Sequence, residues 1–412
     1  MVLVSIQFVN VAYYAVQRWV LNASYPMSDY FFSPSARFSD FKRDFRMWTD
    51  NSTSEALFYR RAATTLDPFP IWNLAHFPFS RLHNELVSLW VYEIIAILLI
   101  ACGTYIALNK QSRSIRIVLA VVITSFSYAS QFTLERGNIE FLSFFFVAIA
   151  VSHFNEDRIS TPIFLAIAVG VKPWAGILLL LWIIRRQFRD IIIFTFVYLG
   201  LVVTCPLIIR VWARLPLTEF FNPKYQFSHF SDYAQNYVAS SSSGSGIAYG
   251  NSLYGLLRII AASLGATNPN ELLRNWYVIW VLFSLCGLLW IIGRHRTETM
   301  LEVAALLAFV TVTPFVSGDY KLLYMIIVTS CFLQLPRTEV SERTRRGILT
   351  ICAVVLGGKS FLRIDTPMGL SLSEPILSSV LLSPILIVAI LVTIVLIYRD
   401  KPLASDLLRD KI

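Results

Sequence analysis

The chain has 412 residues, 56% of them hydrophobic and 15% charged, with a net charge of +9 and a mean hydropathy of +0.61. Soluble globular domains carry roughly a quarter charged residues, so this balance argues against a soluble fold. The charge sits in scattered short loops rather than on one face, which gives no support to a nucleic-acid partner and assigns the excess to anionic membrane lipid.

Hydrophobic runs of membrane-spanning length recur from end to end. A run of roughly 20 apolar residues can cross the hydrocarbon layer as a helix, and only helices or closed barrels satisfy their backbones there. Ile376–Tyr398 is apolar on every face rather than alternating, which excludes a barrel. The fold class expected is therefore an all-α polytopic membrane protein. It forms a single integral membrane domain over residues 1–412, placed in the inner or plasma membrane. The first run, 2–21, lacks a preceding Lys or Arg and a small-residue cleavage site and reads as a retained span. Further runs are predicted at 86–108, 115–134, 139–154, 161–184, 190–209, 275–293, 300–316, 320–336, 346–362 and 376–398.

Short basic loops set the orientation. Lys110, Arg113 and Arg116, then Arg294 and Arg296, then Arg337, Arg343, Arg345 and Arg346, then Arg399 and Lys401 all belong in the cytoplasm by the positive-inside rule. Arg185, Arg186 and Arg189 join them only if 161–184 enters and returns as two short helices joined at Lys172–Pro173. Proline supplies that hinge, because it disfavours a helical residue before it. The expectation is a bundle of about twelve transmembrane helices, a broken short pair among them, with both termini cytoplasmic. The long polar stretches 22–85 and 210–274, and the short ones 135–138, 317–320 and 363–375, then share the outer face. The sequons at Asn22 and Asn51 fall in the first of these.

The chemistry-bearing residues follow in chain order. In "RFSDFKRDFRMW", Asp40 and Asp44 are four residues apart and share a helix face among aromatic residues. An interfacial amphipathic helix is the plain reading; it also places carboxylates at the level of lipid phosphates. "LERGNIEF" sets Glu135, Arg136 and Asn138 at the outer end of the third span, where an ordinary polar turn would also serve. Lys172 lies within an apolar run, where a charge is costly and by default functional. A Ser/Gly-rich segment, 239–246, precedes "YGNSLYGLLRII", in which Asn251 or a neighbour caps a helix carrying Arg258. "VTPFVSGDYKLLY" brings Asp319, Tyr320 and Lys321 to the outer interface. The five cysteines, Cys102, Cys205, Cys286, Cys331 and Cys352, show no metal-ligand or disulfide spacing, so neither a metal nor another cofactor is expected.

In this order and on one face, the "FSDF" acid, "RGN", "KPW", "GNSLYGLLR" and the "P…DY" turn resemble the polyprenyl-phosphate-sugar-dependent glycosyltransferases of family 87 in the GT-C superfamily. The resemblance covers residues from about 37 to about 335. It implies a GT-C-like bundle whose outer loops form the active site. It also implies a polyprenyl-phosphate sugar donor, a lipid-linked or glycan acceptor, and transfer with inversion on the extracytoplasmic face. Asp40 would be the general base, and phosphate would leave as a good anion without an acid catalyst. Arg136 and Lys172, with Lys321 and Arg258, would hold the phosphate. Asp44, Asn138, Asn251, Asp319 and Tyr320 would line the substrate site. A lipid-linked-sugar flippase or secondary transporter is the alternative; Glu93 and Glu302, inside predicted spans, are its best support. A transferase of another kind, such as an acyltransferase, would need a catalytic His, and the five histidines form no obvious set.

Overall fold

The structure, a computed structural model, describes residues 2–22, 37–49, 70–82, 84–154, 156, 158–213, 250–295, 298–315, 317–336, 338–357, 363–364, 376–377 and 379–399. The Ser/Gly-rich segment 239–246, the Asn51 sequon, and Arg296, Arg337 and Lys401 lie outside the described residues.

Among the described residues the chain is almost wholly helical. The helices are α1 (Val2–Trp19), α2 (Ser39–Thr49), α3 (Pro70–Ser80), α4 (Glu85–Ala107), α5 (Arg113–Phe126), α6 (Tyr128–Arg136), α7 (Glu140–Ser152) and α8 (Ser160–Val171). They continue with α9 (Leu179–Ile184), α10 (Phe188–Ala213), α11 (Leu253–Ser263), α12 (Pro269–Arg294), α13 (Thr299–Val312), α14 (Tyr324–Gln334), α15 (Glu342–Gly357) and α16 (Ser379–Arg399). Two 3-10 turns, Pro173–Leu178 and Asp319–Leu323, lead into α9 and α14. A two-residue strand pair, Arg363–Ile364 with Ile376–Leu377, closes the predicted outer segment 363–375 antiparallel.

Among the described residues four helices are long and apolar enough to cross a membrane: α4, α10, α12 and Leu381–Arg399 of α16. A fifth crossing forms if α5 and α6, bent by 55° at their junction, are one span. Ser127 makes that bend by capping α6, its side chain accepting the Ser130 N–H. The predicted runs at 139–154 and 300–316 give helices of only 13 and 14 residues. Their outer ends are used by the Asn138 turn and the Pro314 turn. α13 is also buried along its whole length from Leu301 to Val312; a helix enclosed by others need not match the hydrocarbon thickness by itself.

The run 161–184 folds as the broken hairpin. Lys172 is extended (φ −147°, ψ 129°) between α8 and the first 3-10 turn, the conformation a following proline favours. Phe154, ahead of α8, stacks on Trp182 in α9 with ring centroids 5.7 Å apart. A Cβ at Gly176 would meet Val169 Cγ2 at 3.7 Å. Both limbs thus end at one pole of the bundle, with Lys172 at the apex.

At that pole Arg185 bonds Thr299 (2.9 Å) and Glu302 (2.5 Å). Asn109 reaches the Ser152 carbonyl, Gln334 that of Ala107, and Arg345 that of Leu335. His295 lies beside Tyr398. The described basic loops therefore collect at one end, and helix α2 with Asp40 and Asp44 at the other. Glu302, one of the two residues that support a transporter, is engaged as an anchor for the hairpin through Arg185. On this arrangement, a single cysteine at Gln187 in a background lacking the native five should react with an impermeant maleimide only after the membrane is opened. Labelling of intact cells would invert the orientation.

Candidate active site

The site begins with α2. Phe38 takes a left-handed conformation (φ 56°) and its N–H donates to the Glu135 carbonyl (2.7 Å), while Arg37 pairs with Glu135 (2.7 Å). These contacts dock the first turn of α2 on the end of α6. Its 3.6-residue period then turns Phe41 and Phe45 inward with Asp40 and Asp44, and all four are buried. Phe41 packs on Tyr92 and Phe79.

Gly137 makes this docking possible. It closes α6 in the left-handed conformation (φ 67°), as helix-ending glycines commonly do. A Cβ there would lie 2.7 Å from Phe41 Cβ. The Gly137 carbonyl also accepts the Tyr92 hydroxyl (3.0 Å). Gly137→Ala should therefore cost about 1–3 kcal/mol in backbone strain alone and push α2 off its seat. A lower melting temperature with loss of activity is expected; unchanged values for both would sink this account of the turn.

The two acids have distinct surroundings. Asp40 receives Arg136 Nε (3.0 Å) and the Asn138 side-chain amide (2.8 Å). Burial pushes its carboxyl up, but the charges of Arg136 and Arg43 and the hydrogen bonds from Asn138 and Arg136 outweigh it, and the group is held below its ordinary value. Asp44 receives Arg43 Nε (3.0 Å) and the Trp72 indole N–H (2.9 Å), with His76 Nε2 at 3.4 Å. Arg46 turns instead to Glu85 (3.8 Å). His76 is buried and stacks on Tyr92, its Nδ1–H donated to the Trp72 carbonyl (3.0 Å). Burial lowers its pKa against the opposing pull of Asp44, so the ring is neutral near pH 7.

The lysines complete the cluster. Lys172 Nζ lies 3.4 Å from the centroid of Trp72 and 5.8 Å from that of Tyr320. Lys321 Nζ lies 3.5 Å from the centroid of Trp174, just past the hairpin apex. Asp319 accepts the Tyr128 hydroxyl (2.6 Å). Asn251 joins the same turn: its N–H donates to the Ser317 carbonyl (2.8 Å), and Gly250 bridges Gly318. Ser252, not Asn251, caps α11 through the Tyr254 N–H.

Asp40 thus contacts Arg136 and Asn138, and Trp72 joins Asp44 to Lys172. Tyr320 lies near Lys172 on the turn that also carries Asp319 and Lys321, with Asn251 tied to Ser317 just before it. Arg258 enters an aromatic cluster over Tyr254 with Tyr277 and Phe315. Sequence reasoning missed Trp72 and His76, which sit one helical turn apart in "PIWNLAHF", a stretch read as loop. Polar-capable rings at that spacing in an apolar helix were the available signal. It also missed Glu140, two residues beyond "RGN".

The cluster offers buried carboxylates, one of them reached by an arginine and an amide, beside two lysines seated on indoles. That composition suits a hydroxyl to be deprotonated near an anion to be held. Among the described residues no group of three or more His, Cys, Asp or Glu could hold a metal ion. The family model described as glycosyltransferase family 87 matches residues 70–318, which include Trp72, Arg136, Asn138, Lys172 and Asn251 and stop just before Asp319. No curated protein and no solved structure matches the chain.

Proposed function

The chain belongs to glycosyltransferase family 87, and on that premise we propose that it transfers a sugar from a polyprenyl phosphate to a lipid-linked or glycan acceptor, with inversion, on the extracytoplasmic face. The observation that carries this reading is Asp40, buried at the pole opposite the basic loops and bonded to Arg136 and Asn138. The positive-inside rule turns that pole outward.

Asp40 accepts the proton of the acceptor hydroxyl as its oxygen attacks the anomeric carbon from the face opposite the phosphate. The bond to phosphate breaks, and polyprenyl phosphate departs carrying the electron pair. Its monoester has a second pKa of about 6, so it leaves without protonation. One carboxylate is therefore enough, where a glycosidase uses two. Lys172, Lys321 and Arg136 supply positive charge where charge develops on the leaving group, which is usually the largest electrostatic contribution to such a step. Asn138 orients Asp40, while Asn251, Asp319 and Tyr320 line the substrate side and Arg258 supports it from α11. Asp44, held by Trp72, fixes the seat of Lys172.

The test is incubation of the purified protein with a panel of polyprenyl-phosphate sugars and acceptor glycolipids, scored for release of polyprenyl phosphate and for product anomeric configuration. Inverted product with any donor supports the reading. Turnover only with nucleotide sugars, or a retained configuration, defeats it.

A further inference from the structure

Glu140 opens α7 with no solvent exposure, and neither of its carboxylate oxygens accepts a hydrogen bond from a described residue. Its backbone N–H is held by the Asn138 side chain (3.0 Å), the residue whose amide binds Asp40. The Tyr324 hydroxyl lies beside Glu140 and also bonds Ser143 Oγ (2.9 Å), which reaches the Ala168 carbonyl (3.2 Å), so Tyr324 can serve at most one of the two carboxylate oxygens. The field of Glu140 reaches both Lys172 and Lys321.

A buried carboxylate with unmade hydrogen bonds is costly, by more than a neutral group would be. The cost is tolerable where a ligand completes the set. A second polar side chain is in the same condition. Asn251 is fully buried with both its amide oxygen and nitrogen unbonded, and its backbone is tied to Ser317 and Gly318, at the start of the turn that carries Lys321. α7 packs against that turn as well. Two orphaned groups, one a pure acceptor and one able to donate and accept, therefore sit on elements that meet at the turn carrying Lys321, and the field of Glu140 reaches both lysines.

We infer that Glu140 is a donor-sugar binding residue, its carboxylate accepting hydrogen bonds from hydroxyls of the sugar while Lys172 and Lys321 hold the phosphate. This rests on the donor reading above and deepens it. The ligand such a set completes must carry hydroxyl hydrogens for the carboxylate and phosphate oxygens for the lysines, a few ångströms apart; a sugar 1-phosphate has both. A carboxylate has two acceptor oxygens and no donor, which matches the paired hydroxyls of a vicinal diol.

The competing role for Glu140 is that of a counter-ion to the lysines alone, and the two separate experimentally. Tryptophan fluorescence, which Trp72 and Trp174 should report, gives affinities of detergent-solubilised wild type and Glu140→Gln for a polyprenyl-phosphate sugar and for bare polyprenyl phosphate. Glu140→Gln should weaken the glycosylated lipid at least about tenfold, the scale of a lost hydrogen bond to a charged group, and change the bare lipid less than about twofold. A monodeoxy donor lacking the bonded hydroxyl should lose a similar factor on wild type and little more on Glu140→Gln.

Equal changes for glycosylated and bare lipid overturn the inference and leave a counter-ion. Should Glu140→Gln fail to fold, the deoxy series on wild type decides alone: no deoxy position losing more than about twofold overturns it. If the wild type binds bare and glycosylated lipid with equal affinity, Glu140 reads no sugar and only this inference falls. If it binds neither, the donor reading itself falls first.

Discussion

Asp40→Asn is expected to lower kcat for sugar transfer by about 10²–10⁴-fold, the span general-base help supplies, while the donor still binds. Asparagine keeps the shape but offers one acceptor oxygen to the two donors, Arg136 Nε and the Asn138 amide, and cannot take the acceptor proton. The measurement is single-turnover transfer alongside donor affinity, with melting temperature as the control for fold. Asp44→Asn is the necessary companion. Asp44 is equally buried on the same face of α2, and its own partners, Arg43 and Trp72, give it a structural occupation.

If Asp44→Asn is dead while Asp40→Asn turns over normally, the base sits one turn further along α2. If both retain transfer, α2 carries no base. The pH profile gives a further check. The Asp40 carboxyl is held below 3.8, so the base form is complete at neutral pH and the acid limb of kcat/KM falls below that value. The stability Asp40 contributes has the same sign: present above its unfolded pKa and lost as pH falls through the depressed folded one. Arg136→Gln removes the main opposing charge and leaves the burial, so the acid limb should move upward.

Much of this site was legible in the sequence because its residues break local rules. A lysine before a proline inside an apolar run cannot be explained by packing, and it does mark the apex of a hairpin. Asp40 and Asp44 at helical spacing among phenylalanines do share the buried face of α2. The glycine of "RGN" needs its left-handed turn to admit Phe41. What was not legible depends on contacts between distant segments. Arg46 stands two residues from Asp44 and Arg43 one, but the helix turns Arg46 to Glu85. Trp72 and His76 acquire their meaning only when α3 folds under α2. Glu140 looks like an unremarkable first-turn acid, favoured by the helix dipole; its orphaned oxygens become visible only once α7, α14 and the hairpin enclose it. The shortness of α7 and α13 was hidden for the same reason, since hydropathy measures a run and not how much of it the site consumes.

Lys172→Met should weaken the affinity for polyprenyl-phosphate donor by about 10–100-fold, the range of a lost charged hydrogen bond, with the melting temperature unchanged or raised. The two halves of this expectation have one origin. Lys172 is 8% exposed, and among the described residues its ammonium makes no hydrogen bond or ion pair, only the approach to Trp72 at 3.4 Å and the more distant Tyr320. A desolvated cation on an indole gains roughly 2 kcal/mol, less than the several kcal/mol that burying an ammonium costs, so the fold does not depend on the charge. What remains unexplained by the protein is then explained by an anion arriving at the apex, beside the Trp72 ring. Methionine fills the same volume without the charge, which confines the loss to binding. Lys172→Arg should rescue only in part, because a planar fork does not replace a point charge seated on a ring. Unchanged donor affinity in Lys172→Met would remove Lys172 from the phosphate site. A melting temperature that collapses with full affinity retained would make its charge structural, and leave Lys321, on the Trp174 ring at 3.5 Å, as the lysine that meets the phosphate.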